Sequence, residues 1–226
     1  MKTSFRKFSL FAGILSVLFV AGGLLCAGAV KTACVVDCSR TFYFLVSEAQ
    51  NADAAAEAGA LGGGAGYVME REGREYAVLS CYFSLSDAQS VRDRLSESDV
   101  RAAVRAEEGG KLYLTGFSEK KNAERLKGCF PTLGSCIRIL YELSAAADEG
   151  MPQETLKDIL GDVGGVLSRL AKENPDGIFS DLSACAASAG EEIGRMSEGI
   201  VFAKDLRYMQ VRLSDDYLRL ADKFSL

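Results

Sequence analysis

The sequence predicts an α+β fold in three parts: an apolar segment over residues 1–33, a βαββαβ module over residues 41–117 and an all-α helical bundle over residues 118–226. Three observations lead to this prediction. A strand–helix–strand pattern occurs twice in the first half, and the apolar period changes from two residues to about 3.6 beyond the module. A long uncharged run also follows a basic start.

Residues 1–33 have the features of a targeting or anchoring segment. The start is basic, and no charged residue occurs over residues 9–30. A run of this length suffices for a transmembrane helix, which needs about 20 residues. The basic start would stay in the cytoplasm, so we expect a single-pass protein in the cell membrane with most of its chain outside. Cleavage after Ala29, which would secrete the mature chain, is the alternative.

The strand–helix units are clearest at residues 76–95. Residues 76–82, Tyr-Ala-Val-Leu-Ser-Cys-Tyr, are rich in aromatic and branched side chains, as strands are. Ser86 followed by Gln89 predicts a capped helix start. Residues 43–47 carry a similar strand pattern, and each unit ends in another short strand candidate. Two such halves predict a four-stranded antiparallel sheet with both helices on one face and the other face open, the ferredoxin-like arrangement.

Turn residues connect these units. The glycine-rich residues 62–66 leave a helix and enter a strand, which favours a flexible loop over a phosphate cradle. Glu72 and Gly73 predict a hairpin turn between the second and third strands. Residues 111–115 predict an extra strand.

The stretch at residues 76–104 resembles the second half of a SPOR (sporulation-related repeat) domain. That half of the family pattern is roughly Tyr-Arg-Val-x-Val-Gly-Pro-Phe, followed by a short loop and a helix beginning with Ala. Residues 80–82, Ser-Cys-Tyr, stand where the family has Gly-Pro-Phe, and Ala88 and Leu95 fall at the expected helix positions.

The first half resembles the family pattern Tyr-x-Val-Gln-Val-Gly-Ser-Phe. Leu45 stands at the Gln position and Ser47 at the first Gly position. The resemblance covers about residues 41–106. It implies non-catalytic binding of peptidoglycan glycan strands, with a preference for strands that lack stem peptides, in cell division or sporulation.

Strand alternation defines the binding face that this resemblance leads us to expect. The expected glycan-binding residues on the open face are Tyr43, Leu45, Tyr76, Ser80 and Tyr82. The helix-covered face is expected to hold Phe44, Val46, Ala77, Leu79 and Cys81. Tyrosine rings offer flat apolar surfaces to sugars. If a fifth strand or the helical bundle covers the open face instead, these tyrosines belong to the core.

Composition argues against several classes of function. The chain has no His, which excludes Ser-His-Asp and Cys-His catalytic sites and any metal site with a His ligand. The net charge of −5 argues against a broad nucleic-acid surface. Adjacent acidic pairs, such as Asp215 and Asp216, point about 100° apart on a helix and do not form an acid–base pair. We therefore expect no catalytic residue, metal or cofactor, although a wall hydrolase and a nucleic-acid binder remain alternatives.

Cysteine usage leaves several possibilities open. Of seven cysteines, six lie outside the apolar run: Cys34, Cys38, Cys81, Cys129, Cys136 and Cys185. Neighbours in sequence could form disulfides, or most could be small buried residues. A zinc site would need four thiolates, and no CxxC spacing nominates them.

Four amphipathic stretches follow the module. They run from after Pro131 to near Gly150, from Leu156 to Leu170, from Ile178 to Ala189 with Gly190 and Gly194 as interruptions beyond, and from Phe202 to Phe224. Each has one apolar stripe, so the four are expected to pack together. The spacing in the last helix also suits a partner helix or a homodimer. An envelope scaffold that binds proteins through these helices is therefore the alternative function.

Overall fold

The computed structural model describes residues 34–114, 117–174 and 177–224. The strands are β1 (Cys34–Asp37), β2 (Thr41–Ser47), β3 (Tyr67–Arg71), β4 (Arg74–Tyr82), β5 (Ala102–Glu108) and β6 (Lys111–Leu114). The helices are α1 (Ala52–Leu61), α2 (Leu85–Glu97), α3 (Phe117–Asp148), α4 (Gln153–Glu173), α5 (Ser180–Glu198) and α6 (Ala203–Phe224). A 3₁₀ turn, Gly177–Phe179, precedes α5.

Four strands form an antiparallel sheet in the order β3-β4-β2-β5. The hairpin between β3 and β4 turns at Glu72 and Gly73, whose φ angles of 55° and 72° are both positive. Two positive φ angles are what a type I′ turn requires, and this turn matches the right-handed twist of the strands. The predicted position of this turn is confirmed. Separately, β1 and β6 pair in a two-stranded antiparallel ribbon.

Side-chain caps fix the starts of the two short helices. The Asn51 side chain accepts a hydrogen bond from the backbone N–H of Ala54 at 3.0 Å, which caps α1. The Ser84 hydroxyl accepts one from the N–H of Asp87 at 3.4 Å, which caps α2. The predicted N-cap, Ser86, is therefore wrong by two residues. Ser84 takes this role because its extended backbone precedes the first helical turn.

The helical part contains two features that the sequence pattern obscures. α3 is 32 residues long and contains Pro131 in its interior, so the prediction that this helix begins after Pro131 is wrong. α5 runs without interruption through Gly190 and Gly194. The predicted stripe of α6 includes Phe202, but the helix begins one residue later and Phe202 is exposed.

The structure corrects the predicted fold class. In its described part the chain is mixed α/β, with six α-helices and two antiparallel sheets. Among the described residues of the range 34–224, no helix is long and apolar enough to cross a membrane. The transmembrane helix expected over residues 9–30 lies outside the described residues and gains no support.

The sheet and the helices share one hydrophobic core. One buried cluster contains Phe44 and Cys81 of the sheet together with Leu160 of α4 and Leu213 of α6. The described residues belong to a single compact unit, Ala33–Leu226. The predicted boundary between residues 117 and 118 therefore does not separate two hydrophobic cores, because the sheet and the helices share one.

Candidate binding surfaces

α6 covers the sheet face that carries Phe44 and Cys81. Gln210 of α6 donates a hydrogen bond from its side-chain amide to the Cys81 carbonyl at 3.1 Å, and Ser214 lies 3.8 Å from the Cys81 thiol. On the opposite face, α1 packs its Ala52 and Ala56 against Ala77. Helices therefore lie on both faces, and the expectation of an open sheet face is wrong. The apolar stripe of α6 covers sheet residues instead of packing only against other helices.

A β-bulge explains why strand alternation misplaced several side chains. Leu45 pairs with Ser80 and the next residue, Val46, pairs with Val78, so Leu79 is an extra residue in β4. An extra residue reverses the alternation on one side of the bulge. Val78 consequently shares the α6 face with Cys81, whereas Ala77 lies on the α1 face.

The bulge also divides the expected glycan-binding residues between the two faces. Tyr76 lies on the α6 side, where its hydroxyl accepts a 3.0 Å hydrogen bond from Arg105. Leu45 is fully buried, so it has no surface to offer a ligand. The structure thus does not assemble the five residues into one surface.

Four of the five residues share the α1 face, and three of them, Tyr43, Ser80 and Tyr82, are partly exposed. Tyr43 and Tyr82 are direct cross-strand partners, and both are partly exposed. Ser80 donates its hydroxyl proton to the Tyr82 hydroxyl at 3.0 Å. Tyr141 of α3 packs edge-on to Tyr82 with 6.2 Å between ring centroids, and burial raises the pKa of Tyr82. These residues form a small aromatic group in which Tyr43 pairs with Tyr82.

A buried charged group joins β3 to α6. Asp215, fully buried, forms an ion pair with Arg71 and a second one with Arg219 at 3.1 Å. The hydroxyl of Tyr67 donates a hydrogen bond to the Oδ2 oxygen of Asp215 at 2.8 Å. Burial, followed by the charge of Asp215, raises the pKa of Tyr67 and keeps its proton in place. This arrangement satisfies a buried charge, so it favours a structural role over an acid–base role.

The loop of residues 199–202 is the second candidate surface, and we call it the clamped loop. Gln153 at the start of α4 donates from Nε2 to the Val201 carbonyl at 3.0 Å and accepts from the Val201 N–H at 2.8 Å. Val201 is buried, while its neighbours Ile200 and Phe202 are 70% and 53% exposed. A side-chain amide thus holds the backbone between two outward-facing apolar residues.

Sequence reasoning missed the clamped loop because Phe202 fits the four-residue spacing of the α6 stripe. The signal that separates the clamped loop from the α6 stripe is Gly199, which ends α5 and leaves three apolar residues before α6 begins. Near the start of α6, Arg207 donates a hydrogen bond to the Gly63 carbonyl at 2.5 Å and holds the glycine-rich loop beside the helix. A cavity of about 190 Å³ lies there, between Gly64 and Gly66 on one side and Lys204 and Tyr208 on the other.

Five of the cysteines are free thiols. They are Cys38, Cys81, Cys129, Cys136 and Cys185, and the first four are buried. Burial raises the pKa of Cys81 and Cys136 to about 12, which makes them unreactive. Within the described ranges, no group of three or more Cys, Asp or Glu side chains is placed to hold a metal ion.

Comparison of the chain with protein-family models, with curated proteins and with solved structures gives no match. The resemblance to SPOR domains accordingly stays a prediction from sequence.

Proposed function

We propose that this chain is a non-catalytic binding module of the cell envelope that engages a protein partner through the clamped loop. The observation that carries this proposal is the pair of hydrogen bonds between Gln153 and Val201, which displays Ile200 and Phe202 in a fixed conformation. This is the scaffold function that the amphipathic helices suggested, assigned here to a loop between two of them.

The geometry of the clamped loop suits protein recognition. Large apolar side chains at the centre of an interface supply most of its binding energy. A loop already held in one conformation loses less entropy on binding, which favours affinity. The neighbouring cavity of about 190 Å³ offers a recess for one side chain of the partner.

The envelope location in this proposal rests on the sequence of residues 1–33. A basic start followed by an uncharged run directs export, whether or not the segment is later removed after Ala29. Fractionation of the native host, with N-terminal sequencing of the recovered chain, tests this part. A full-length chain recovered from the cytoplasm would contradict it.

Site-specific photo-crosslinking in the native host tests the partner. A photoreactive amino acid at position 202 should give one discrete protein adduct, identified by mass spectrometry. The matched control is position 166, because Val166 is an exposed apolar residue of α4 remote in sequence from the loop. The same adduct yield at both positions, or adducts with lipid alone, would contradict the proposal.

The clamp itself provides a second test. Gln153→Ala leaves Ile200 and Phe202 in place but releases the backbone between them. We expect the adduct yield at position 202 to fall while the melting temperature changes little. An unchanged yield would show that the fixed conformation is not needed.

Binding of peptidoglycan glycan is the second candidate, favoured by the partly exposed pair of Tyr43 and Tyr82. Neighbouring tyrosines offer flat rings to sugar faces and hydroxyls to sugar oxygens. The aromatic group around Tyr82 supports this candidate in a smaller form than a whole sheet face.

Sedimentation with purified sacculi, with and without stem peptides, separates the two candidates. Tyr43→Ala should abolish retention if the pair binds glycan. Tyr76→Ala is the matched control, because Tyr76 lies on the α6 side of the sheet. Equal retention of both variants would exclude the tyrosine pair as the glycan site.

A further inference from the structure

Two arginines share one aromatic ring at the edge of the core. The guanidinium carbon of Arg40 lies 5.8 Å from the ring centroid of Phe83, and that of Arg138 lies 5.1 Å from it. Phe83 follows β4, Arg40 precedes β2 and Arg138 belongs to α3. Tyr141 packs edge-on against Phe83 with 5.4 Å between centroids, and Phe42 lies at 5.8 Å. The ring of Phe83 therefore contacts both guanidinium groups.

The described residues do not neutralise these two charges. Neither guanidinium has a carboxylate within 4.0 Å, whereas the part-buried Arg71 and Arg212 each form ion pairs. Arg40 donates from Nη1 to a neutral acceptor, the Gly134 carbonyl, at 2.7 Å. Burial lowers the pKa of Arg40, Tyr217 partly opposes this effect, and the nearby charge of Arg138 lowers the pKa as well. Like charges held together without a counter-ion cost free energy, which an anion between them would recover.

A recess adjoins Arg40, the more buried member of the pair. A cavity of about 220 Å³ has Arg40 in its wall, together with the apolar side chains of Phe130 and Pro131 and the ring of Tyr217. Such a volume accommodates a small organic group, and its apolar lining suits the body of a ligand rather than its charge.

Asp37 lies on the wall of the same cavity and limits the charge that the site accepts. Its carboxylate accepts hydrogen bonds from the backbone N–H of Ser39 at 2.9 Å and from the Ser39 hydroxyl. These hydrogen bonds lower the pKa of Asp37, so the group stays ionised at neutral pH. A fixed negative charge disfavours dianions and polyanions more than it disfavours a single carboxylate.

We propose that Arg40 and Arg138 form a binding site for a monoanionic carboxylate whose organic body occupies the cavity beside Phe130. The guanidinium fork matches the two oxygens of a carboxylate, and Phe83 fixes the spacing of the forks. This site is separate from the clamped loop, and it stands or fails independently of the protein partner.

Titration of the full chain in a non-ionic detergent tests the ligand chemistry. N-acetylglycine and N-acetylglycinamide differ only in the carboxylate, so they are the matched probes. We expect saturable binding of the acid, detected by calorimetry and by NMR of the arginine side chains, and no binding of the amide. Inorganic phosphate at equal ionic strength should bind at least about tenfold more weakly. Equal binding of acid and amide, tighter binding of phosphate, or no binding of any probe would overturn the proposal.

Substitutions locate the site. Arg40→Gln and Arg138→Gln should each weaken binding of the acid by about tenfold or more, as expected for loss of a charge-assisted hydrogen bond. Arg125→Gln is the matched control, because Arg125 also stacks on a ring, that of Phe179 at 4.4 Å, and donates to a carbonyl, but has no second arginine beside it. Unchanged affinity in both test variants would overturn the assignment.

Two further measurements separate binding from a structural role. Arg138 is exposed, so Arg138→Gln should fold normally, and relief of repulsion should keep its ligand-free melting temperature at or above that of the parent. A marked fall in melting temperature with unchanged affinity would indicate a structural role instead. Asp37→Asn should lower the ratio of the affinity for N-acetylglycine to the affinity for phosphate severalfold. An unchanged preference would show that Asp37 does not limit the charge.

Discussion

The hydroxyl of Tyr67 donates a 2.8 Å hydrogen bond to Oδ2 of Asp215, and this bond joins the edge strand β3 to the last helix of the chain. Arg71 of the same strand forms an ion pair with the other carboxylate oxygen. The two residues are 148 positions apart in sequence, so the sheet and α6 depend on each other for a satisfied charge. We expect the charge buried at this contact to make the register between the two elements specific.

We expect Asp215→Ala to lower the free energy of unfolding by about 3–5 kcal/mol, because it leaves Arg71 largely buried without its partner. Urea denaturation followed by circular dichroism measures this loss. Because sheet and helices share one core, the parent and the variant should each unfold in one transition. Asp158→Ala, at an exposed position of α4, is the control and should have little effect. A loss below about 1 kcal/mol would show that the buried ion pairs contribute little.

Asp216 makes stability depend on pH in the opposite sense to most carboxylates. Burial is the main cause that raises the pKa of Asp216 above its ordinary value, against the opposing charge of Arg212. The pKa of Asp216 is higher in the folded than in the unfolded state. Asp216 therefore contributes to stability at acidic pH, and this contribution is lost as the pH rises through the folded pKa. We expect Asp216→Asn to gain stability relative to the parent between pH 4 and pH 7, measured by urea denaturation. An equal gain from Asp162→Asn, at an exposed site of α4, would contradict burial as the cause.

The cysteines should be reduced and protected in the native chain. Burial raises the pKa of Cys38 to about 12 and that of Cys129 to about 11, so little thiolate forms at neutral pH. Iodoacetamide at pH 8 should therefore modify these two cysteines slowly in buffer and rapidly in urea, as followed by peptide mass mapping. A mapped disulfide between Cys129 and Cys136 would contradict the description of both as thiols.

Local signals in the sequence predicted much of the secondary structure. The hairpin at Glu72 and Gly73 follows from a glycine, which accepts positive φ, between two strand candidates that alternate as strands do. The apolar stripes of α4 and α6 were also clear, with Leu160 and Leu213 in the core as their spacing indicates. These features depend on neighbouring residues alone, so a single sequence suffices to find them.

The missed features depend on contacts between distant segments. Leu79 is an extra residue in β4 only because Val46 pairs with Val78, and no local pattern records that register. The helix that covers Phe44 and Cys81 begins at Ala203, far from both residues in sequence, and its apolar stripe does not indicate which surface it will cover. The expected glycan-binding face was wrong for the same reason. Strict alternation placed its residues on one open face, whereas the bulge puts them on two faces and helices cover both.

The two glycines of α5 provide the sharpest test of the helical packing. A Cβ at Gly190 would lie 3.0 Å from the hydroxyl of Ser168 and 3.3 Å from the Gly164 carbonyl, because α4 and α5 approach closely there. A Cβ at Gly194 would meet nothing within 4 Å. The pattern that resembled two helix interruptions is therefore one packing contact and one unconstrained position.

We expect the two alanine variants to differ in sign. Gly194→Ala should raise the free energy of unfolding by about 0.5–1 kcal/mol, since alanine loses less backbone entropy in a helix. Gly190→Ala has the same entropic advantage, but its Cβ crowds the Gly164 backbone. Because overpacking of this kind costs about 1–3 kcal/mol, the net effect should be destabilising. Thermal and urea denaturation of both variants measure the difference. Equal stabilisation by both substitutions would mean that α4 and α5 separate easily at this point, and that the close contact does not hold them in register.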